Sequence, residues 1–340
     1  MKSRLGLSLR ARTLLCPALL CASMFGIAGS AFASTPSQTL VIEPDQALTP
    51  IYNLINAAKS TIDLTMYELV DTDASGLLCQ AAARGVTVRV ILDVNLEKSS
   101  NTAAYNQLNA CGASAVWAWT KYSATHQKTL TIDAATANAQ TAIMTLNMTS
   151  RYYSTTRDFA VIENDANDIA AIETTFNADF KHSTITPPTG DDLIWSPTNS
   201  QTSLLPIING AKKTLLVENE EMSDSAIVSA LENAAENGVQ VTIVMTNDDN
   251  DYASEFDALS NAGANISTYP DNDTALYIHA KAILADYGTS SAKAYVGSEN
   301  FSSASLTKNR ELGLSTTNAS ILTQLNTTIS NDYSGGTPWN

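Results

Sequence analysis

One pattern of charged and amide residues occurs twice in this chain of 340 residues, and the two copies stand 153 positions apart. Each copy reads HxKxxxxD and is followed by an asparagine 14 residues later. The residues of the two copies are His126, Lys128, Asp133 and Asn147, then His279, Lys281, Asp286 and Asn300. The chain has three histidines, and two of them carry this pattern, so chance is a poor explanation. The pattern predicts one site built from two copies of one structural unit.

The duplication extends beyond the motif, which indicates that a whole folding unit is repeated. Several dipeptides recur at the same offset of 153: Ala58-Lys59 and Ala211-Lys212, Gly85-Val86 and Gly238-Val239, Arg157-Asp158 and Arg310-Glu311, Asp179-Phe180 and Asp332-Tyr333. The repeated units run over about 49–180 and 203–333. With the proline-rich linker 187–190 as boundary, the predicted domains are 34–190 and 191–340.

Runs of β-branched residues alternate in both units with segments of helical apolar spacing. We predict strand, helix and strand at 61–67, 75–84 and 86–92, and again at 214–217, 226–237 and 239–245. Each unit then continues with a short helix, a strand, the motif strand, one further strand and a closing helix at 168–180 or 319–331. This order predicts an α/β protein of two tandem α/β/α sandwich units, with mixed β-sheets related by a pseudo-twofold axis.

The first 33 residues have the composition of a secretory signal peptide. Four basic residues precede an apolar run over about 13–27, and small residues end at Ala31-Phe32-Ala33. The run is shorter than the roughly 20 residues that span a bilayer, which disfavours a membrane anchor. We therefore expect cleavage after Ala33 and a secreted or periplasmic protein.

Cleavage would leave 15 basic and 34 acidic residues, a net charge of −19. Such a charge repels polyanions and argues against a general nucleic-acid binder, although it also serves solubility alone. Of the four cysteines, Cys79 and Cys111 would remain. Both lie on or next to predicted helices of the first unit, and a disulfide and two buried thiols are both open.

The motif residues suit the chemistry of a phosphoryl group. The histidine and lysine of each copy share one strand face, and the asparagine closes the following strand on the same side. Asp133 and Asp286 should point to the other face and stabilise the strand and its loop. Two cations and two amides suit phosphoryl oxygens, while two histidines provide a nucleophile and a general acid.

Two further carboxylates have a predicted supporting role. Asp158 and Glu311 lie 11 residues after the asparagines, and we expect each to accept an N–H from the imidazole of its own half. A metal site is not expected, because the motif lysines would repel a divalent ion and no carboxylate cluster has ligand spacing. No cofactor is expected either. His182 lacks these neighbours and should be an exposed residue at a helix end.

These motifs resemble those of the phospholipase D superfamily, in which HxKxxxxD is followed by Gly-Ser/Thr-x-Asn. The second copy has Gly297-Ser298-Glu299-Asn300, which makes Ser298 a supporting site residue, whereas Met144-Thr145-Leu146-Asn147 lacks the glycine. The resemblance implies a site at the interface of two α/β/α units and metal-independent phosphodiester transfer. It also implies a phosphohistidine attacked by water or an alcohol, with His126 as nucleophile and His279 as the acid for the leaving alcohol.

We therefore expect a phospholipase D-type phosphodiesterase that hydrolyses or transphosphatidylates glycerophospholipids at a membrane or micelle surface. A metal-independent nuclease of the same superfamily is the alternative, and its substrate would favour a more basic protein. A non-catalytic protein is disfavoured because neither motif has lost a residue. No stable protein partner is expected, and the chain should be a monomer; the head group and the acceptor stay open.

Overall fold

The computed structural model describes residues 36–339. The predicted signal peptide and its cleavage site lie outside the described residues. Among the described residues, no helix is both long and apolar enough to cross a membrane.

The first half forms a sheet flanked by helices. Its strands are β1 (Gln38–Glu43), β2 (Thr61–Met66), β3 (Thr87–Leu92), β4 (Ser114–Trp117), β5 (Thr129–Ile132), β6 (Gln140–Met144) and β7 (Thr156–Glu163). Its helices are α1 (Thr49–Ala57), α2 (Thr72–Ala83), α3 (Lys98–Ala110) and α4 (Ala166–Phe180), and a short 3₁₀ helix spans Ser150–Tyr152.

The second half repeats these elements. Its strands are β8 (Leu193–Ser196), β9 (Thr214–Glu218), β10 (Gln240–Asn247), β11 (Asn265–Pro270), β12 (Tyr277–Ile278), β13 (Ala282–Ala285), β14 (Lys293–Gly297), β15 (Glu311–Thr316) and β16 (Thr337–Pro338). Its helices are α5 (Ser200–Gly210), α6 (Ser225–Glu236), α7 (Ala253–Asn261), α8 (Ser303–Thr307) and α9 (Ala319–Gly335).

Both sheets are mixed and have the same strand order. The first is β1-β7-β6-β5-β2-β3-β4, and the second is β8-β15-β14-β13-β9-β10-β11, extended by β16. The βαβ strands pair in parallel, and the motif strands β5 and β13 pair antiparallel to β2 and β9. This confirms the expected fold class of two α/β units with mixed sheets.

Local sequence signals account for the repeated helices α2 and α6. Asp71 and Asp224, which are 153 residues apart, cap them by accepting two backbone N–H groups each. The helices are followed by Gly85 and Gly238, whose φ angles of 92° and 84° are readily adopted by glycine.

Apolar clusters lie within each half and between the halves. The cluster between the halves contains Phe159 and Val161 of β7 together with Leu312 and Leu314 of β15. These two pairs are again related by the offset of 153. Because the sheets meet through equivalent residues, the duplicated units pack about a pseudo-twofold axis.

Several elements were not expected from the sequence. One strand was predicted after each motif strand, but two are present: β6 and β7, and β14 and β15. The sequence patterns also do not predict the strands β1 and β8 or the helices α1 and α5. They add an edge strand and a helix at the start of each half, and β1 pairs with β7 while β8 pairs with β15.

The sequence left open whether the two cysteines form a disulfide or remain buried thiols, and in the structure they form a disulfide. Cys79 of α2 and Cys111, directly after α3, form a disulfide with a Cα–Cα distance of 5.5 Å. The bond joins two neighbouring helices on one face of the first sheet.

Candidate active site

The first residue of each motif hydrogen-bonds through its backbone to the other half of the chain. The backbone N–H of His126 donates to the carbonyl of Arg310 at 2.9 Å, and that of His279 donates to the carbonyl of Arg157 at 3.2 Å. The short strand β12, directly before His279, pairs with β7 of the first sheet. This exchange brings the two histidines to the interface between the halves.

The carboxylate that contacts the Nδ1 atom of each motif histidine also comes from the opposite half. Our expectation that it would come from the same half is wrong. His126 Nδ1 lies 2.8 Å from Oε2 of Glu311, and His279 Nδ1 lies 2.8 Å from Oδ1 of Asp158. Each ring is therefore oriented by the other half, because each motif begins beside the strand of the partner unit. Asp158 and Glu311 do contact imidazoles, but with the opposite pairing.

A second reciprocal pair of contacts lies next to these. Arg157 bonds Asp332 at 2.6 Å, and Arg310 bonds Asp179 at 2.8 Å. All four residues are buried. The motif histidines and the following arginines thus connect the two halves through four exchanged ion pairs or hydrogen bonds.

His126 is arranged as a neutral imidazole whose Nε2 lone pair accepts a hydrogen bond inside the site. Its Nδ1 faces the Glu311 carboxylate, so the ring proton belongs there, and Lys128 Nζ donates to Nε2 at 2.7 Å. Burial and the neighbouring Lys128 lower the pKa of His126, although Glu311 opposes them. Burial and Lys281 lower the pKa of Lys128 to about 7.

The second half has a different arrangement. Lys281 Nζ bonds Oε2 of Glu220 at 2.9 Å, and Asn300 Nδ2 reaches the same oxygen at 3.1 Å. His279 Nε2 lies 3.6 Å from it. One carboxylate therefore contacts three of the motif residues.

Glu220 lies outside both motifs, and the sequence patterns do not predict it as a site residue. The signal that identifies it is a break in the repeat, since Tyr67 stands 153 positions earlier. Burial opposes ionisation of Glu220, but His279 and Lys281 hold its pKa well below the ordinary value.

Asp133 and Asp286 do not contact the histidines. Asp133 accepts backbone N–H groups of Lys59, Ser60 and Thr61, and Asp286 accepts those of the equivalent residues in the second half. Both aspartates have positive φ angles, 52° and 54°, a conformation that Asp tolerates better than most residues. They hold the end of each motif strand to the loop that leads into the neighbouring strand, β2 in the first half and β9 in the second.

Asn147 and Ser298 lie near the histidines in different ways. Asn147 and His279 line the same cavity. The Oδ1 atom of Asn147 has no hydrogen-bond partner within residues 36–339. The Ser298 carbonyl lies 3.2 Å from His126 Nδ1, and its hydroxyl accepts the backbone N–H of Leu312.

The glycine that the first half lacks has a packing function in the second half. A Cβ at Gly297 would lie 2.3 Å from Cα of Gly313 and 2.4 Å from the Tyr295 hydroxyl. The first half has Ala142 in place of Tyr295 and Met144 in place of Gly297. Gly297 thus leaves room for both the Gly313 backbone and the Tyr295 side chain.

A cavity of about 550 Å³ opens on the His279 side of the site. Carboxylates and tyrosines contribute to its wall: Glu43, Asp158, Glu220, Asp271, Tyr152 and Tyr277. Glu43 is 1% exposed, and burial and Asp158 raise its pKa to about 9. No group of three or more potential metal ligands is found within the part of the chain that the structure describes.

Two HxKxxxxD motifs that meet at the interface of two repeated α/β units define a two-motif phospholipase D-like protein. The family described as "Cardiolipin synthase, PLD-like domain" matches residues 51–180 and 204–333. The chain therefore belongs to this family, within a superfamily of phosphodiesterases and phospholipid transferases.

Solved structures share the fold at low sequence identity. A polyphosphate kinase from Porphyromonas gingivalis has a TM-score of 0.66 and 13% identity, covering 87% of this chain and 50% of its own. A phosphatidylserine synthase from Haemophilus influenzae Rd KW20 has a TM-score of 0.64 and 13% identity, covering 87% and 85%. This chain thus spans half the length of the kinase. No curated protein matches the chain.

Proposed function

We propose that this protein is an exported phospholipase D-type phosphodiesterase that acts on glycerophospholipids and releases the head-group alcohol. The observation that carries the proposal is the pair of buried imidazoles at one interface, each held by a carboxylate from the opposite half. Two oriented imidazoles beside two lysines suit a double displacement at phosphorus.

In the first step, His126 Nε2 attacks phosphorus while the bond to the leaving alcohol oxygen breaks. His279 donates its Nε2 proton to that oxygen. Lys128, Lys281 and the two motif asparagines bind the phosphoryl oxygens, whose charge has to be stabilised.

In the second step, water or another alcohol attacks the phosphohistidine. His279, now neutral, accepts the proton of the attacking hydroxyl, and the bond between His126 and phosphorus breaks. The same ring thus acts as acid and then as base, which restores the starting state.

Phospholipid is favoured over nucleic acid by charge. The cavity beside His279 has Asp271 and Asp273 in its wall, and these carboxylates would repel the neighbouring phosphates of a polynucleotide. The predicted net charge of the processed chain acts in the same direction. A phospholipid presents one diester group, and the description of the matched family names a phospholipid enzyme.

Export is supported by two independent features. The N-terminal segment has the composition of a cleaved signal, and Cys79 and Cys111 form a disulfide, which persists in oxidising compartments.

The proposal can be tested with the chain from residue 34 onwards. It would be incubated with phosphatidylcholine, phosphatidylethanolamine or single-stranded DNA in the presence of EDTA, with His279→Asn as the inactive control. We expect release of the head group with EDTA present. Faster cleavage of DNA would assign the chain to the nuclease alternative, and loss of activity with EDTA would indicate a metal hydrolase.

A further inference from the structure

The repeat is broken at one position inside the site. Glu220 follows β9 at the place where Tyr67 follows β2. The Tyr67 ring packs edge-on against His126 with a centroid distance of 4.6 Å, and Lys128 Nζ lies 5.2 Å from the Tyr67 ring centroid. In the second half a carboxylate replaces this aromatic ring.

The substitution gives the two histidines different electrostatic surroundings. His126 has a carboxylate at Nδ1 and an ammonium 2.7 Å from Nε2. His279 has a carboxylate at each nitrogen: Asp158 2.8 Å from Nδ1, and Glu220 3.6 Å from Nε2. An adjacent cation disfavours a second proton on a ring, whereas an adjacent carboxylate favours it.

We infer that Glu220 is the positioning residue that makes the two histidines unequal, by holding the proton of His279 at Nε2 in the free enzyme. His279 is then the general acid, and His126, which lacks such a partner, is the nucleophile. This assignment of roles rests on the proposed double displacement.

The other groups around Glu220 fit this role. Lys281 and Asn300 bind the carboxylate from the motif strand and the loop after β14, and Tyr277 donates to its second oxygen at 3.3 Å. The titratable groups that face Glu220 are His279, Lys281, Tyr277, His126, Lys128, Tyr67, Glu221, Tyr252 and Asp248. Burial opposes ionisation of Glu220, but His279 and Lys281 hold its pKa well below the ordinary value, which favours a carboxylate beside the ring.

The chain offers a direct measurement because it has only three histidines. In protein labelled with ¹⁵N-histidine, the ring signals of His126, His279 and the exposed His182 can be followed by NMR as the pH is changed. In the unmodified protein, we expect the His279 ring to keep its second proton to higher pH than the His126 ring. The reverse order would overturn the assignment without any variant.

The variant Glu220→Gln removes the charge and keeps the shape. We expect the titration midpoint of the His279 ring to fall by about one pH unit, since an opposite charge within 4–6 Å commonly has an effect of this size. The titration midpoint of His182 should not change. In Glu220→Asp, the midpoint of His279 should lie close to that of the unmodified protein. Asp248→Asn, which removes an exposed carboxylate nearby, should have a much smaller effect. An unchanged midpoint in folded Glu220→Gln would overturn the proposal.

Turnover gives a second readout that a purely structural role would not produce. Loss of acid catalysis affects an alkoxide leaving group more than a nitrophenolate, which leaves without protonation. We expect Glu220→Gln to slow phosphatidylcholine hydrolysis up to about tenfold above the midpoint, and bis(4-nitrophenyl) phosphate hydrolysis much less. Equal losses on both substrates would contradict acid control. Absence of lipid turnover together with the expected NMR result would instead reject only the proposed substrate.

Discussion

At the scale of single residues, the two motif histidines are the same amino acid with different neighbours. Each is buried, and each donates Nδ1–H to a carboxylate from the opposite half. They differ on the Nε2 side, where Lys128 stands beside one ring and Glu220 beside the other. The chemistry of the pair therefore depends on residues outside the histidine positions of the motif.

We expect His126→Asn and His279→Asn each to reduce turnover by more than about 10³-fold, because neither ring can perform both roles. The two losses should not add in the double variant. Steady-state kinetics would measure this, with circular dichroism to check the fold and His182→Asn as the control. Ordinary activity in either single variant would contradict a shared site.

The pH dependence of kcat/KM reflects His126 and Lys128 of the free protein, besides the general acid His279, whose deprotonation adds to the loss of activity at high pH. His126 has to be neutral to attack, so activity should rise with pH through its pKa, which burial lowers below 6.5. Lys128 has to be charged, so activity should fall as pH rises past its pKa of about 7, lowered by burial and Lys281. We expect a bell-shaped profile with a maximum between these limbs. A rate that continues to rise above pH 8 would be incompatible with a charged Lys128.

At the scale of elements, some features occur in both halves and others in one half alone. Each half has one capped helix of this kind, α2 in the first and α6 in the second, and each half has one motif strand. The disulfide has no counterpart in the second half, because Glu232 stands 153 residues after Cys79, and Ala262 precedes Gly263 where Cys111 precedes Gly112. The fold of one unit thus does not require the bond, which acts as an additional constraint on α2 and α3.

We expect Cys79→Ala/Cys111→Ala to fold but to lose stability. The cysteines are 32 residues apart, and the entropy of closing such a loop corresponds to about 3–4 kcal/mol of unfolding free energy. Urea unfolding would measure the loss, with the reduced unmodified protein as comparison. Activity at 25 °C should be retained, since the bond does not contact the site. Two titratable thiols in the native oxidised protein would contradict the disulfide.

At the scale of the whole molecule, the two halves depend on each other. The apolar cluster between them is joined by the buried pairs Arg157–Asp332 and Arg310–Asp179. Asp332 also lies beside Glu218, whose pKa is raised by burial and by Asp332. Removing Arg157 would leave two buried acids without their counter-charge.

We therefore expect Arg157→Met to lower the unfolding free energy by about 3–5 kcal/mol, the usual result of leaving one buried partner unpaired. Arg157→Met/Asp332→Leu should recover part of the loss, as a double-mutant cycle in urea would measure. Arg84→Met, at an exposed arginine, should cost at most about 1 kcal/mol. A small effect of Arg157→Met would show that the pair contributes little to joining the halves.

Much of the architecture can be predicted from local patterns. The offset of 153 indicated a duplicated unit, and the period of apolar residues indicated βαβ segments close to their observed bounds. The short strands β1 and β8 were missed because their edge positions depend on pairing with β7 and β15. A few residues of strand character do not indicate which strand they will join.

The pairing across the interface was decided by tertiary structure. Spacing along the chain identified Asp158 and Glu311, but each motif lies beside a strand of the opposite half, and therefore each carboxylate meets the other histidine. Glu220 belongs to no motif and becomes part of the site only where β9 ends beside the motif strand β13. Periodicity and repeats report local conformation, whereas these contacts depend on how two folded units pack, which no single segment encodes.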